Sequence, residues 1–455
     1  MRPVARWLPP IILALAGLTC LNDTKAQAPP QKLGSYTPDQ LISSVTDGYI
    51  SQWVLEHTFS PNCSVDVYQL QYQTVGGQGE PTTASAALMI PVGADWPCAG
   101  PLSIALYAHG KRNLRSFNIA DLSGHNYEGL IVALALAGDG FIVVAPNYAG
   151  YDSSTLGYHP FMNGDQQAAD MIDALAAART ALASIGVADN GKLFVTGYSE
   201  GGYVAMATHR ALQAAGIPVT ASAPMSGPYT LAAFADAMFL GQAGAGAVEE
   251  FAMLVSSYQH SYGNLYTYPT DLFDPRYALA DTLLPGAMAG DALVEQGLLP
   301  ADLGSLVNET FRAGYLQDAL AVPDGGYPNT TNGLPPMTAM NNLRADLAKN
   351  DLRNWAPSSP TLLCAGDEDP VVFYLNTQLM EGYWAVNAPL SPVTILDVDA
   401  PPSHDGPYKH IRKEFARTKK LMRWIEGRSE VAQNYHDVLV PAFCLQAARS
   451  FFEGF

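Results

Sequence analysis

The stretch Leu193–Gly202, LFVTGYSEGG, restricts the fold more than any other part of the chain. Leu193 to Thr196 read as a short buried strand, Gly197-Tyr198-Ser199-Glu200-Gly201 follow at once, and the small residues from Tyr203 to Ala214 read as a helix. A chain that turns from strand to helix within so few residues holds the central serine in a strained conformation with its hydroxyl raised above the sheet. Glycines two before and two after it remove Cβ atoms that would collide with backbone packed against the turn. The helix N-terminus that follows directs backbone N–H groups at any negative charge developing beside the serine. A bare Gly-x-Ser-x-Gly is common by chance. The strand before it and the helix after it make the motif specific, and they predict a nucleophile at Ser199.

The rest of the chain repeats the same grammar. Apolar or β-branched runs at 66–74, 82–90, 102–108, 141–145, 193–196, 219–224, 361–364 and 393–398 are separated by helical stretches. That alternation predicts an α/β fold with a mostly parallel eight-stranded sheet flanked by helices, the first two strands forming an antiparallel hairpin. Met171, Leu175, Ala178, Leu182 and Ile185 recur at helical spacing before Gly186, so they form the buried face of one such helix. Alternation lapses over 229–340, where the text is aromatic and punctuated by glycine, and it resumes at Thr361. The domain reading is therefore a core in two parts, 29–228 and 341–455, with a helical lid insertion at 229–340. Phe239, Tyr262 and Tyr266 are its candidate substrate-binding residues, because ligand sites are lined mainly by apolar and aromatic side chains. A last helix from about 412 to 426 is expected to bury Phe415, Leu421, Met422 and Trp424, with the tail folded back and fastened at Phe443 and Cys444.

A serine nucleophile needs a base, and the base an orienting carboxylate, which on this kind of sheet follow in the order Ser, Asp, His. Of nine histidines, His404 lies in the loop between the last strand and the last helix, and it is the expected base. His410 reads as a surface residue, and His436 sits in the tail. The loop after the seventh strand offers Asp367, Glu368 and Asp369. Asp369 is preferred because Pro370 sets the following turn, ahead of Asp367 and then Asp399. The backbone N–H groups of Lys111, after the third strand, and of Glu200 are the candidate oxyanion donors. His109 is expected to brace its loop rather than touch substrate.

Taken together, His109-Gly110, Pro146–Tyr151, Gly197–Gly201, Ser226–Tyr229, Gly366–Val372 and Ser403-His404 resemble the corresponding motifs of secreted bacterial α/β-hydrolases, in particular exported serine esterases and lipases with a helical lid. The resemblance covers about 36–228 and 341–455. It implies a Ser-His-Asp mechanism, no cofactor, and carboxylic-ester substrates, small-molecule or lipid. Lys111-Arg112 departs from the glycine or apolar residue common after His-Gly. A serine peptidase or aminopeptidase of the same fold is the alternative, since the fold does not choose between ester and amide. An inactive binding protein is a third reading, disfavoured by the presence of all three triad residue types in order.

Composition narrows partners and compartment. With 24 basic against 42 acidic residues the chain carries a net charge of −18, which repels nucleic acid, and 48% hydrophobic against 15% charged residues excludes disorder. Arg2 and Arg6 precede an apolar run from Ile11 to Leu18 and small residues at Ala26 and Ala28. This is the pattern of a cleavable signal peptide over 1–28, so a secreted or periplasmic location is expected. The run is too short to span a bilayer, which takes ~20 residues. Four cysteines remain beyond it. Cys63–Cys98 is the favoured disulfide and Cys364–Cys444 a second, with a buried free thiol at Cys364 as the competing reading. No metal-binding motif is present.

Overall fold

The computed structural model describes residues 28–455 apart from 45–48, 124–125, 328–336 and 403–405. The signal-peptide reading for 1–28 therefore lies almost wholly outside the described residues. So does His404.

The strands are β1 (Gln31–Tyr36), β2 (Ser64–Val75), β3 (Pro81–Val92), β4 (Leu102–Ala108), β5 (Ile142–Pro146), β6 (Asp189–Tyr198), β7 (Ala221–Met225), β8 (Thr361–Ala365) and β9 (Val393–Asp397). They form one sheet in the order β1-β2-β3-β5-β4-β6-β7-β8-β9. Pairing is antiparallel from β1 to β5 and parallel from there to β9. The expected hairpin is β2 and β3, in continuous register from Ser64↔Val92 to Val75↔Pro81. Among the described residues the sheet thus has nine strands where eight were expected. The extra one, β1, is a largely exposed edge of sequence QKLGSY, held by Lys32 and Ser35 side chains on Asp66. Without a buried face it shows no period-two signal, so sequence pattern could not announce it.

Central strands are continuous apolar runs because both of their faces are covered. Along β4, Ile104 and Leu106 join one core layer while Ala105 and Tyr107 join the other; along β5, Ile142 and Val144 oppose Val143 and Ala145. The first layer contains helices Gly164–Ile185 and Glu200–Ala214. Asn163 caps the former by accepting from Gln166 N–H, and Gly186, at φ 82°, ends it. The second layer contains helices Tyr127–Ala135, Lys409–Ile425 and Val440–Phe452. In Lys409–Ile425, Phe415 and Met422 are buried, but Trp424 is 82% exposed and Lys419 takes a buried place instead, bound to Glu368.

Between β7 and β8 the chain leaves the sheet and builds a helical insertion, whose longest helices are Ala247–Tyr262 and Glu309–Ala321. Its apolar side chains, among them Phe239, Phe251, Leu272 and Leu306, are continuous with the first core layer. Arg344, wholly buried, ties its parts together through Asp236 at 2.7 Å and Asp318 at 2.8 Å. Disulfides join Cys63 to Cys98 and Cys364 to Cys444. No helix among the described residues is long and apolar enough to cross a membrane.

Candidate active site

Ser199 stands between β6 and helix Glu200–Ala214 at φ 59°, ψ −122°, a conformation that a side chain other than glycine's adopts only under constraint. The glycine pattern around it has a direct steric cause. A Cβ on Gly201 would come within 1.9 Å of the Ala108 carbonyl oxygen, and one on Gly197 within 2.3 Å of the Gly201 oxygen. The turn closes only because β4, the elbow and the helix start approach backbone to backbone.

The ring that meets Ser199 belongs to His436. Its Nε2 lies 2.8 Å from Ser199 Oγ, and its Nδ1 lies 2.7 Å from Asp369 Oδ2. His404 was expected in this place; the imidazole that fills it comes instead from the tail, from the turn Tyr435–Leu439 between helices Arg428–Asn434 and Val440–Phe452. Chain order Ser, Asp, His is preserved, but two helices later than the loop rule places the histidine. The Tyr198 hydroxyl donates to the His436 carbonyl at 2.6 Å, so the residue before Ser199 holds the His436 backbone. A sequence signal did exist. Cys364 lies in β8, just before the Asp369 loop, and Cys444 lies two turns after His436, so pairing them brings the tail to the acid.

Asp369 is 5% exposed, and its second oxygen, Oδ1, accepts from Val371 N–H at 2.9 Å and Val372 N–H at 3.0 Å across the Pro370 turn. The competing carboxylates are engaged elsewhere. Asp367 is exposed, while Asp399 accepts from Tyr435 Oη at 2.7 Å and pairs with Lys419. Burial pulls the His436 pKa down, but Asp369, reinforced by Asp437 and Glu250, outweighs it and leaves it raised above 6.5.

On the other side of Ser199, the loop after β4 is gripped by Glu128, which accepts from Gly110 N–H at 2.9 Å and Tyr107 Oη at 2.8 Å and pairs with Arg112. Arg112 therefore serves to anchor this loop. Fully buried His109 places Nδ1 2.7 Å from the Gly110 carbonyl and Nε2 3.3 Å from that of Asn147, and burial lowers its pKa to about 4. It braces the loop as a neutral ring. Lys111 borders the same cavities as Ser199, and Glu200 opens the helix that follows it, ahead of the first intrahelical bonds, which Gly202 and Tyr203 N–H make to the Ser199 carbonyl.

Two cavities meet at Ser199. One is an apolar slot under the insertion, lined by Phe161, Leu231, Phe234, Phe239, Phe251 and Leu343. The other is wider and polar, bounded by Tyr107, Arg112, Asn113, Glu128, His436 and Asp437. Lys111 and Glu250 border both. Burial raises the Glu250 pKa to about 7, against the pull of Lys111 and His436. Of the three aromatic residues expected to line the site, Phe239 does so. Tyr262 and Tyr266 do not. Tyr262 accepts from Asn350 Nδ2 at 2.8 Å, and Tyr266 hydrogen-bonds Asp281, so both hydroxyls are spent inside the insertion. Phe234 and Phe251 line the slot instead, a choice set by how the helices pack and not by composition.

Comparison with known proteins bears on the fold. Residues 131–246, from helix Tyr127–Ala135 to the start of helix Ala247–Tyr262, match the prolyl oligopeptidase family. The rice cell wall degrading esterase LipA from Xanthomonas oryzae is 28% identical, with a TM-score of 0.70 over 88% of this chain and 97% of that one. A hydrolase of Legionella pneumophila, 21% identical, superposes with a TM-score of 0.69 over 94% of this chain and 97% of its own. Candida antarctica lipase A, 15% identical, shares the fold with a TM-score of 0.51 over 80% of this chain and 75% of its own. No curated protein sequence matches. The strand–turn–helix at Ser199, the nine-stranded sheet and the likeness to these proteins agree: the chain has the α/β-hydrolase fold, with the architecture of a serine hydrolase, and is similar to an esterase of that fold.

Proposed function

We propose that the protein is an exported, cofactor-free carboxylic-ester hydrolase working through an acyl-enzyme on Ser199. The observation that carries this reading is the hydrogen-bonded series Ser199, His436, Asp369 at the mouth of an apolar slot. His436 takes the Ser199 proton as Oγ attacks the acyl carbon, and Asp369 holds the ring with Nε2 toward the serine and stabilises the imidazolium that forms. The Lys111 and Glu200 amides are the donors for the oxyanion, each worth roughly 3 kcal/mol in the transition state. His436 returns its proton to the departing alcohol, and water repeats the sequence to release the acid. Nothing in these steps calls for a metal or cofactor. The insertion acts as a lid that shelters the acyl group in the slot, while the polar cavity receives the alcohol. Two disulfides and the charged-then-apolar N-terminal pattern support export.

A peptidase reading is supported by the match to the prolyl oligopeptidase family, and Glu250 at the cavity junction is a carboxyl that a substrate amine could meet. An inactive binding protein is disfavoured by the assembled triad. The deciding experiment compares p-nitrophenyl esters from acetyl to palmitoyl with aminoacyl-anilides. The ester reading expects turnover of the esters with negligible anilide cleavage, and a higher kcat/KM on anilides overturns it.

A further inference from the structure

Beneath the nucleophile lies a polar cluster that the triad does not use. Glu200, the residue after Ser199, is 1% exposed. Its Oε1 lies 2.7 Å from His159 Nε2 and accepts from Gln167 Nε2 at 2.7 Å, while Oε2 has no partner among the described residues. His159 is equally buried, packed among Tyr148, Tyr151 and Phe161, with Nδ1 3.0 Å from the Ala149 carbonyl. An ionised carboxyl in such surroundings is strongly disfavoured unless another group compensates it.

Counting hydrogens shows how it is compensated. A carbonyl oxygen only accepts, so Nδ1 of His159 carries a hydrogen. Between Nε2 and Oε1 sits one more. On the nitrogen it makes an imidazolium and a carboxylate; on the oxygen it makes a neutral ring and a neutral acid. Either way the pair as a whole carries no net charge. His109 offers the contrast: no carboxyl hydrogen-bonds its ring, and burial outweighs the pull of Glu200 and lowers its pKa to about 4.

The position of Glu200 makes this consequential. Its backbone N–H is one of the two oxyanion donors in the proposed mechanism, so one residue would supply both a donor that stabilises the oxyanion and a carboxyl whose unpaired charge would oppose it. Charge on this carboxyl is felt locally: after burial, it is the next cause that pushes the Tyr148 and Tyr151 phenols up. We propose that His159 and Glu200 are a positioning pair for the reaction at Ser199, in which His159 neutralises the Glu200 carboxyl and, with Gln167, clamps the first turn of the helix so that the Glu200 amide stays aimed at the oxyanion. Neither side chain touches substrate. The inference rests on the serine-hydrolase reading and adds to it a second buried acid–base couple.

A charge-rescue experiment tests it. The variants are His159→Gln, which keeps a donor but cannot hold the shared proton as a cation, and His159→Gln with Glu200→Gln, which removes the carboxyl's charge as well. Three quantities are read: kcat and KM on the wild type's best ester, the rate at which a p-nitrophenyl phosphonate modifies Ser199, and Tm. Removing an oxyanion donor costs about 10²- to 10³-fold in kcat, and misaligning or opposing one through His159→Gln is expected to cost roughly 30- to 300-fold, in kcat and phosphonylation alike, with KM within about threefold. Adding Glu200→Gln is expected to restore at least about tenfold. A packing role alone cannot produce that recovery, because a second buried change adds damage. The proposal is overturned if His159→Gln stays within about threefold of wild type, or if the double variant is no faster than the single one. Should His159→Gln not fold, His159→Asn with and without Glu200→Gln is read by the same criteria. Wild-type protein whose Ser199 fails to react with the phosphonate would refute the serine-hydrolase reading itself, a distinct result.

Discussion

The proposed nucleophile and its proposed base come from regions built on opposite principles. Ser199 sits in ten consecutive residues, Leu193–Gly202, where strand, turn and helix follow from local chemistry, and its glycines are explained by contacts within the same turn and with β4. His436 sits in a tail of two helices joined by a π-helical turn, with no local motif, and it reaches Ser199 because the tail is fastened to β8 by Cys364–Cys444 and buried through Phe443, Leu445 and Phe452. A strained turn needs particular residues at fixed offsets and so leaves a signature. A base delivered by packing needs only a well-placed histidine.

The largest effect tests that contrast directly. Ser199→Ala and His436→Ala are each expected to lower kcat on the best ester by roughly 10⁴- to 10⁶-fold, with His404→Ala within about threefold of wild type. Equal losses from His404→Ala and His436→Ala would break the assignment of the base to the tail.

Asp369→Asn is expected to cost about 10³- to 10⁴-fold in kcat, far more than Asp367→Asn, because only Asp369 meets the ring. It also sharpens the pH profile. His436 must be neutral to accept the serine proton, and its pKa is raised above 6.5, largely by Asp369, so wild-type kcat/KM should rise with pH through a value above 6.5. In the residual activity of Asp369→Asn that limb should move to lower pH. An unmoved limb would assign it to another group.

The two disulfides separate the regions next. Each closes a long loop, with sequence separations of 35 and 80, and contributes roughly 3–5 kcal/mol to stability. Replacing Cys364 and Cys444 by Ser should also lower kcat by about tenfold or more at temperatures where the protein remains folded, because the tail carries the base. Replacing Cys63 and Cys98 should lower Tm with kcat little changed. Equal kcat in the two double variants would show that packing alone holds His436.

A tenfold effect is expected in the insertion. Phe239→Ala opens the slot and should shift relative kcat/KM among acyl lengths by about tenfold, since a methylene in a filled pocket is worth roughly 1–3 kcal/mol of discrimination. Tyr262→Ala, outside the slot, should lower Tm and leave the acyl-length profile unchanged.

Smallest is a stability effect at Glu250. Its pKa rises from 4.5 to about 7 in the folded protein through burial, so between those values the folded chain keeps a proton that the unfolded chain has lost. Stability therefore falls as pH rises through this window, and Glu250→Gln should raise Tm by a few degrees at pH about 8 and by less at pH about 5. Thermal melts of both proteins at the two pH values provide the check.

Most of the fold was legible because buried strands, alternating strands and amphipathic helices write their burial into local composition: β2 to β8, the helix ending at Gly186, the elbow and the acid loop all carry such a record. Local sequence also determined Ser199, through sterics confined to one turn, and Asp369, through the Pro370 turn that aims two amides at its carboxylate. It did not determine β1, which buries no face, nor Trp424, whose helix turned Lys419 inward toward Glu368 and Asp399. Only tertiary structure decided which histidine meets Ser199, which aromatic residues line the slot, and that Glu200 meets His159. The reason is common to all three. Each depends on side chains far apart in sequence arriving within about 3–4 Å of one another, a distance set by the packing of whole elements, and nothing in a residue's own neighbourhood records it.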